Sequence, residues 1–308
     1  MKTVLLAGGT GGAKLASGMQ AVVGADLSVI ANTGDDIEIL GVHVSPDPDL
    51  ITYWLSGEID EARGWGIKDD TFRAFERLTR FGAPHWFSLS DLDLAACLYR
   101  RDFMAEGGRL TDAAGQIARG LGVSATVLPM CDTPVRTKVL CDGSWRGLQE
   151  YLILDGGLPA VEGIELDGIA GAEPTPEALR SIAEAELIVI GPSNPVISIG
   201  PILAISGMRE AIIAADAPVV AVSPYVAGKV IKGPTDNFMR ALERPTNTAG
   251  VASLYEGVID AMVIDADDPD DPPPGVRSFS TPTLMHSAES RASVARAVIK
   301  VGRKLLED

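Results

Sequence analysis

Val4-Leu5-Leu6-Ala7-Gly8-Gly9-Thr10-Gly11-Gly12 is the stretch that decides the fold. A short apolar run stops at glycines, and Leu15, Met19 and Val22-Val23 then recur at helical spacing. The pattern is strand, glycine turn, helix. Leu27-Ser28-Val29-Ile30-Ala31 reads as a second strand that breaks at Asn32-Thr33-Gly34-Asp35-Asp36. Two buried-type strands joined by one helix form a βαβ unit, which predicts an α/β protein with a parallel sheet flanked by helices. Strands of the same kind are expected at 187–190, 219–222 and 258–264. Helical stretches are expected near 201–214 and 235–256, and a final helix with a basic end from Ala288 to Leu306.

The middle reads differently. Residues 71–121 are mostly helical in pattern, followed by strand-like pieces at 123–130, 135–140 and 148–154. The expected organisation is one domain, 1–308, with a core at 1–44 and 151–308 and a mostly helical capping insertion at 45–150. The acidic, proline-rich run Asp265 to Pro274 is expected as a surface loop.

Composition sets outer limits. The chain has 308 residues, 26 Lys plus Arg against 42 Asp plus Glu, and a net charge of −16. Phosphate neutralisation along a nucleic acid needs clustered cations, so a dedicated nucleic-acid binder is not expected. Nucleotides remain open, because backbone amides and a metal can hold them. The three cysteines, Cys97, Cys131 and Cys141, form no C-x-x-C pair. No apolar run reaches the roughly 18 residues of a membrane span. A cytoplasmic protein without a membrane anchor is the expectation.

Four clusters carry possible chemistry. Gly8, Gly9, Thr10, Gly11 and Gly12 let backbone approach a phosphate at a helix N-terminus; a plain tight turn is the alternative. The run is not a Walker A loop, since Leu15 stands where Ser or Thr is needed, and it misses G-x-G-x-x-G. Asp35, Asp36, Asp47 and Asp49 follow the second strand, where loops of an open parallel sheet converge on the ligand crevice. Carboxylates beside a phosphate call for a hard cation between them, so Mg²⁺ is inferred; a solvated acidic loop is the alternative. Ser193 and Asn194 lie in Gly191 to Pro201 after another strand, which also reads as a helix start. Ser223 leads to Gly228-Lys229, where Lys229 covers a phosphate or is a surface charge.

These stretches together resemble the 2-phospho-L-lactate transferases of coenzyme F-420 biosynthesis and their actinobacterial phosphoenolpyruvate-type relatives. The match runs through Gly8 to Lys14, Asn32 to Asp36, Ser45 to Asp49, Trp65 to Phe72, Gly191 to Leu203, Ser223 to Lys229 and Thr283-Leu284-Met285. The resemblance implies a Rossmann-like core, a cap that binds the acceptor, and a homodimer. It implies transfer of a phosphate-linked small acid from its guanosine diphosphate-activated form to the ribitol hydroxyl of 7,8-didemethyl-8-hydroxy-5-deazariboflavin (Fo), releasing GMP. The glycine loop with Lys14, and Ser193-Asn194-Pro195, would hold the guanine nucleotide (GDP or GMP). Asp35 and Asp49 would bind Mg²⁺, with Asp49 beside Fo. Asp36 or Asp47 would accept the hydroxyl proton, and Trp65 offers a ring face to the deazaflavin or is simply a cap-core residue. Where the family has Gly-Asp-Arg-Asp-Leu-Ala-Thr-His, this chain reads Ser90-Asp91-Leu92-Asp93-Leu94-Ala95-Ala96-Cys97. The rival reading is a non-catalytic nucleotide-sugar-binding regulator. Such proteins carry a glycine-serine run after the acidic pair, whereas here Ile37-Glu38-Ile39 follows.

Overall fold

The computed structural model describes residues 1–307. The chain opens with β1 (Thr3–Ala7), α1 (Gly9–Val23) and β2 (Leu27–Ala31). A hairpin, β3 (Ile37–Ile39) and β4 (Val42–Val44), leads into helices α2 (Pro46–Ser56), α3 (Arg73–Arg80), α4 (Asp91–Ala105) and α5 (Leu110–Gly120). Then come β5 (Thr126–Pro129), β6 (Arg136–Cys141), β7 (Ser144–Gly147), α6 (Leu148–Ile153), β8 (Gly163–Asp167) and α7 (Pro176–Ala183). The next part runs β9 (Leu187–Ile190), a π-helical segment (Pro195–Ile199), α8 (Gly200–Ala204), α9 (Met208–Ile213), β10 (Val219–Val222) and the small hairpin β11 (Tyr225–Val226) and β12 (Lys229–Val230). It ends with α10 (Thr235–Ala241), α11 (Thr248–Leu254), β13 (Ala261–Asp265), β14 (Arg277–Thr281) and α12 (Ala288–Glu307).

Seven strands form the main sheet in the order β14-β13-β10-β9-β1-β2-β5, with every pairing parallel. Strand order reverses direction between β1 and β9. That is the switch point of a Rossmann-like sheet, and ligands bind outside the strand ends there. Side chains alternate across the pleat. Leu5, Val29, Val189 and Val263 pack toward α1, α2 and α12. Val4, Leu6, Ile188 and Met262 pack toward α7, α8, α9 and α11. Both faces are covered, which is why the strands read as unbroken apolar runs.

Several expectations change. The stretch 45–150 is not wholly a cap: β5 pairs with β2 and completes one edge of the core sheet. Residues 148–154 form helix α6 rather than a strand, started where Glu150 accepts the Gly147 N–H at 2.9 Å. The helix expected over 201–214 breaks at Gly207, whose φ is +86°. The one expected over 235–256 breaks before Asn247, which caps α11 by accepting the Gly250 N–H. Strand β14 escaped notice because Arg277-Ser278-Phe279-Ser280-Thr281 is polar, as an edge strand is allowed to be.

Candidate active site

Gly8 ends β1 and Gly191 follows β9, so both loops open at the switch point. They are fastened together: the Gly8 N–H donates to Ser193 Oγ at 3.2 Å. A β-carbon on Gly11 would lie 2.1 Å from the Pro192 carbonyl oxygen, and one on Gly12 2.5 Å from Ser193 Oγ. Much of the glycine run therefore serves this seam, a use that the strand-turn-helix pattern does not separate from phosphate approach. The Gly9 N–H donates to Asp47 Oδ1 at 2.6 Å. The Thr10 and Gly11 amides lie in the first turn of α1, where helix geometry supplies no acceptor.

In front of this turn is a cavity of about 290 Å³, walled by the glycine loop, Lys14, Asp35, Ser193, Asn194, Ser223 and Lys232. Lys14 stands over Trp54, its ammonium 5.7 Å from the ring centroid. The Asn194 side chain caps the π-helical segment by accepting the Val196 and Ile197 N–H groups, and Pro195 is buried inside that segment. Ser223 shares a 2.8 Å hydrogen bond with Thr248. Gly228 and Lys229 depart from expectation. Gly228 packs on Pro269 at the tip of the β11–β12 hairpin, and the Lys229 side chain is exposed outside the cavity wall. Lys232, three residues on, takes the place foreseen for Lys229.

The carboxylates are sorted by their partners. Asn32, which the sequence reading passed over, donates to Asp35 Oδ1 (2.7 Å), Asp47 Oδ2 (2.9 Å) and the Ile197 carbonyl (3.2 Å). It thus pairs Asp35 with Asp47. Burial, and next the Asp47 charge, push the Asp35 carboxyl well above the usual range. Burial pushes Asp47 up to about 6, with the Asn32 and Gly9 hydrogen bonds opposing. Asp36 is engaged elsewhere: it accepts from Ser45 Oγ at 2.8 Å and meets His43 Nε2 at 2.8 Å, while His43 Nδ1 meets Glu38.

Asp49 forms a third group. One of its oxygens is bound by the fully buried Arg100, which also donates to the His43 carbonyl at 3.0 Å. The other oxygen is buried with no hydrogen-bond partner among the described residues. Donor atoms of Asp49, Asp93 and Cys97 lie within 4.8 Å of one another. Burial, and then Asp49, raise Asp93 to about 6, although the Tyr53 hydroxyl donates to it at 2.8 Å. Of the expected metal pair, Asp35 shares Asn32 with Asp47, and Asp49 has Asp93 beside it. The unpartnered Asp49 oxygen and the Asp93 carboxylate suit a hard cation such as Mg²⁺. The Cys97 thiol does not, being soft and held protonated by burial. Asp93, Cys97 and Arg100 recur at i, i+4 and i+7 along α4, a one-face spacing that could have marked them but that the sequence reading above did not use.

Asp47 and Asp49 also wall a second, mostly apolar cavity of about 340 Å³, with Tyr53, Trp65, Trp86 and Phe87. Trp65 is 39% exposed, so it belongs to this wall and not to a cap core. The Arg63 guanidinium lies 5.2 Å from both the Trp65 and Phe72 ring centroids and braces the loop. Asp47 is common to both places: it borders the aromatic cavity and grips the glycine loop of the other.

A Rossmann-like parallel sheet with a glycine turn and two cavities at its switch point defines an α/β protein whose candidate site lies outside the strand ends. Residues 3–278 match the family described as 2-phospho-L-lactate transferase CofD, and the chain belongs to that transferase family. It is 38% identical to the 2-phospho-L-lactate transferase of Methanopyrus kandleri, over 99% of each chain. It is 37% identical to the phosphoenolpyruvate transferase of Streptomyces coelicolor, over 100% of each. Among solved structures, a UPF0052-family protein from Bacillus halodurans shares the fold, with TM-score 0.66 and 17% identity over 96% of this chain and 98% of that one. No helix among the described residues is long and apolar enough to cross a membrane.

Proposed function

We propose that this enzyme moves a phosphate-linked small acid from a guanosine diphosphate-activated donor to the ribitol hydroxyl of Fo and releases GMP, in coenzyme F-420 biosynthesis. The observation that carries this reading is Asp47, which lines the aromatic cavity and accepts the Gly9 N–H of the glycine loop that walls the other cavity. The first suits the donor diphosphate, against the Thr10 and Gly11 amides and Lys14. The second suits a flat tricyclic ring between Trp65 and Phe87.

In this mechanism the ribitol oxygen attacks the phosphorus that bears the small acid. A new P–O bond forms, the P–O bond to the GMP phosphate breaks, and GMP leaves with the bonding pair. Asp47, not Asp36, takes the hydroxyl proton, because Asp36 is committed to Ser45 and His43 and faces neither cavity. Positioning and charge neutralisation supply most of the rate, as is usual for phosphoryl transfer. Asp49, through its free oxygen, and Asp93 would hold Mg²⁺, which when bound neutralises developing charge on the transferring phosphoryl group.

The test is mass spectrometry after mixing the protein with Fo, Mg²⁺ and each of three guanylylated acids: phospholactate, phosphoenolpyruvate and 3-phosphoglycerate. One acid should give a product of Fo plus the phosphorylated acid less water, with stoichiometric GMP. Absence of product with all three, together with binding of a UDP-sugar, would replace this reading with the regulatory one. Light scattering after size exclusion checks the homodimer that the resemblance implies.

A further inference from the structure

Lys14 and Lys232 both face the donor cavity, and neither meets a carboxylate in an ion pair among the described residues. In a chain with 42 acidic and 26 basic residues, two unpaired ammonium groups at one cavity are conspicuous. Partial burial, and next the Lys14 charge, hold Lys232 below the usual lysine range. The charge of an anion entering the cavity would offset both effects.

Lys232 also reaches across to the acceptor side. Its Nζ lies 3.5 Å from the Gly64 carbonyl oxygen, at the outer limit of a hydrogen bond. A β-carbon on Gly64 would stand only 3.1 Å from that nitrogen. The Gly64 carbonyl is peptide-bonded to Trp65, the wall of the aromatic cavity. This loop is held as one piece by its own hydrogen bonds. Asp60 accepts the Ala62 and Arg63 N–H groups, each at 3.0 Å, and Arg63 donates to Asp60 and to the Ile67 carbonyl.

We propose that Lys232 is a positioning residue that bridges a donor phosphate oxygen and the Gly64 carbonyl, so that donor occupancy seats Trp65 over the acceptor. An ammonium has three donor hydrogens and no lone pair, so it can serve both acceptors at once. Coupling between two binding equilibria is reciprocal: the acceptor must tighten the donor by the same factor. This rests on the proposed function for the identity of the two ligands.

Isothermal titration of the full chain tests it, with GDP as the donor-side probe and Fo as the acceptor. Fo should bind about five- to tenfold more tightly with GDP present, and GDP by the same factor with Fo present. Lys232→Met should weaken GDP binding and abolish the gain, and Lys232→Arg should restore part of it. Lys232 stands at the cavity rim, an exposed residue outside the hydrophobic core, so neither change threatens the fold. Gly64→Ala, which strains a backbone held at φ +75° and crowds the ammonium beside its carbonyl, should lose the gain while retaining GDP binding. A Lys232→Met protein with wild-type GDP affinity or an undiminished gain overturns the proposal. So does a wild type that binds both ligands without mutual effect, even while it makes product. A wild type that neither binds GDP nor transfers anything to Fo overturns the functional reading itself, and this inference with it.

Discussion

The two cavities that meet at Asp47 are made of different material. The cavity proposed for the donor is entered past backbone amides of α1, Ser193, Asn194, Ser223 and two lysines, with Ile231, Leu284 and Met285 completing its wall. The acceptor side is made of large side chains, Tyr53, Trp65, Trp86 and Phe87, over buried carboxylates. A backbone-built site depends on where glycine permits close approach. A side-chain-built site depends on which residues the segments around it carry.

The sharpest way to break this contrast is to change the residue both sides share. Asp47→Asn should lower turnover by about 10²–10⁴, the usual worth of a general base, with smaller changes in the affinity of either substrate. Steady-state kinetics against each substrate in turn checks it. Equal losses confined to one KM would instead assign Asp47 to a single cavity.

Arg100→Met comes next. It strands the Asp49 carboxylate in the interior, and breaking a buried ion pair costs about 3–5 kcal/mol of stability. Denaturant unfolding should show the loss. An unchanged midpoint would mean that water or a cation already satisfies Asp49.

Gly11→Ala acts on the donor side alone. Its β-carbon collides with the Pro192 carbonyl, so GDP affinity should fall by at least about tenfold while Fo affinity holds. Trp65→Ala is the mirror experiment and the smallest effect. Loss of one aromatic face should weaken Fo binding about five- to tenfold and leave GDP binding, measured without Fo, unchanged. If either variant moved both affinities equally, the division into two independently built cavities would fail.

Legibility followed the same division. Gly8 to Gly12 and Ser193-Asn194 were readable because a glycine turn after a strand is a local event, decided by residues adjacent in the chain. The carboxylates were visible as a set, Asp35, Asp36, Asp47 and Asp49, but their roles were not. Asn32 ties Asp35 to Asp47, and Arg100 claims Asp49 from 51 residues away. Lys229 and Lys232 look alike in sequence; a hairpin tip turned one to solvent and left the other in the cavity wall.

What the sequence settled alone was the periodic part: apolar runs bounded by glycine dictate parallel strands, and glycine run and acidic pair mark the crevice end of the sheet. Tertiary structure alone decided which carboxylate Arg100 pairs with, which lysine lines the cavity, and that β5 joins the core sheet. Short-range patterns are set by backbone geometry, which neighbours in the chain determine. Pairing among buried charges is set by distance in space, which only the folded packing fixes.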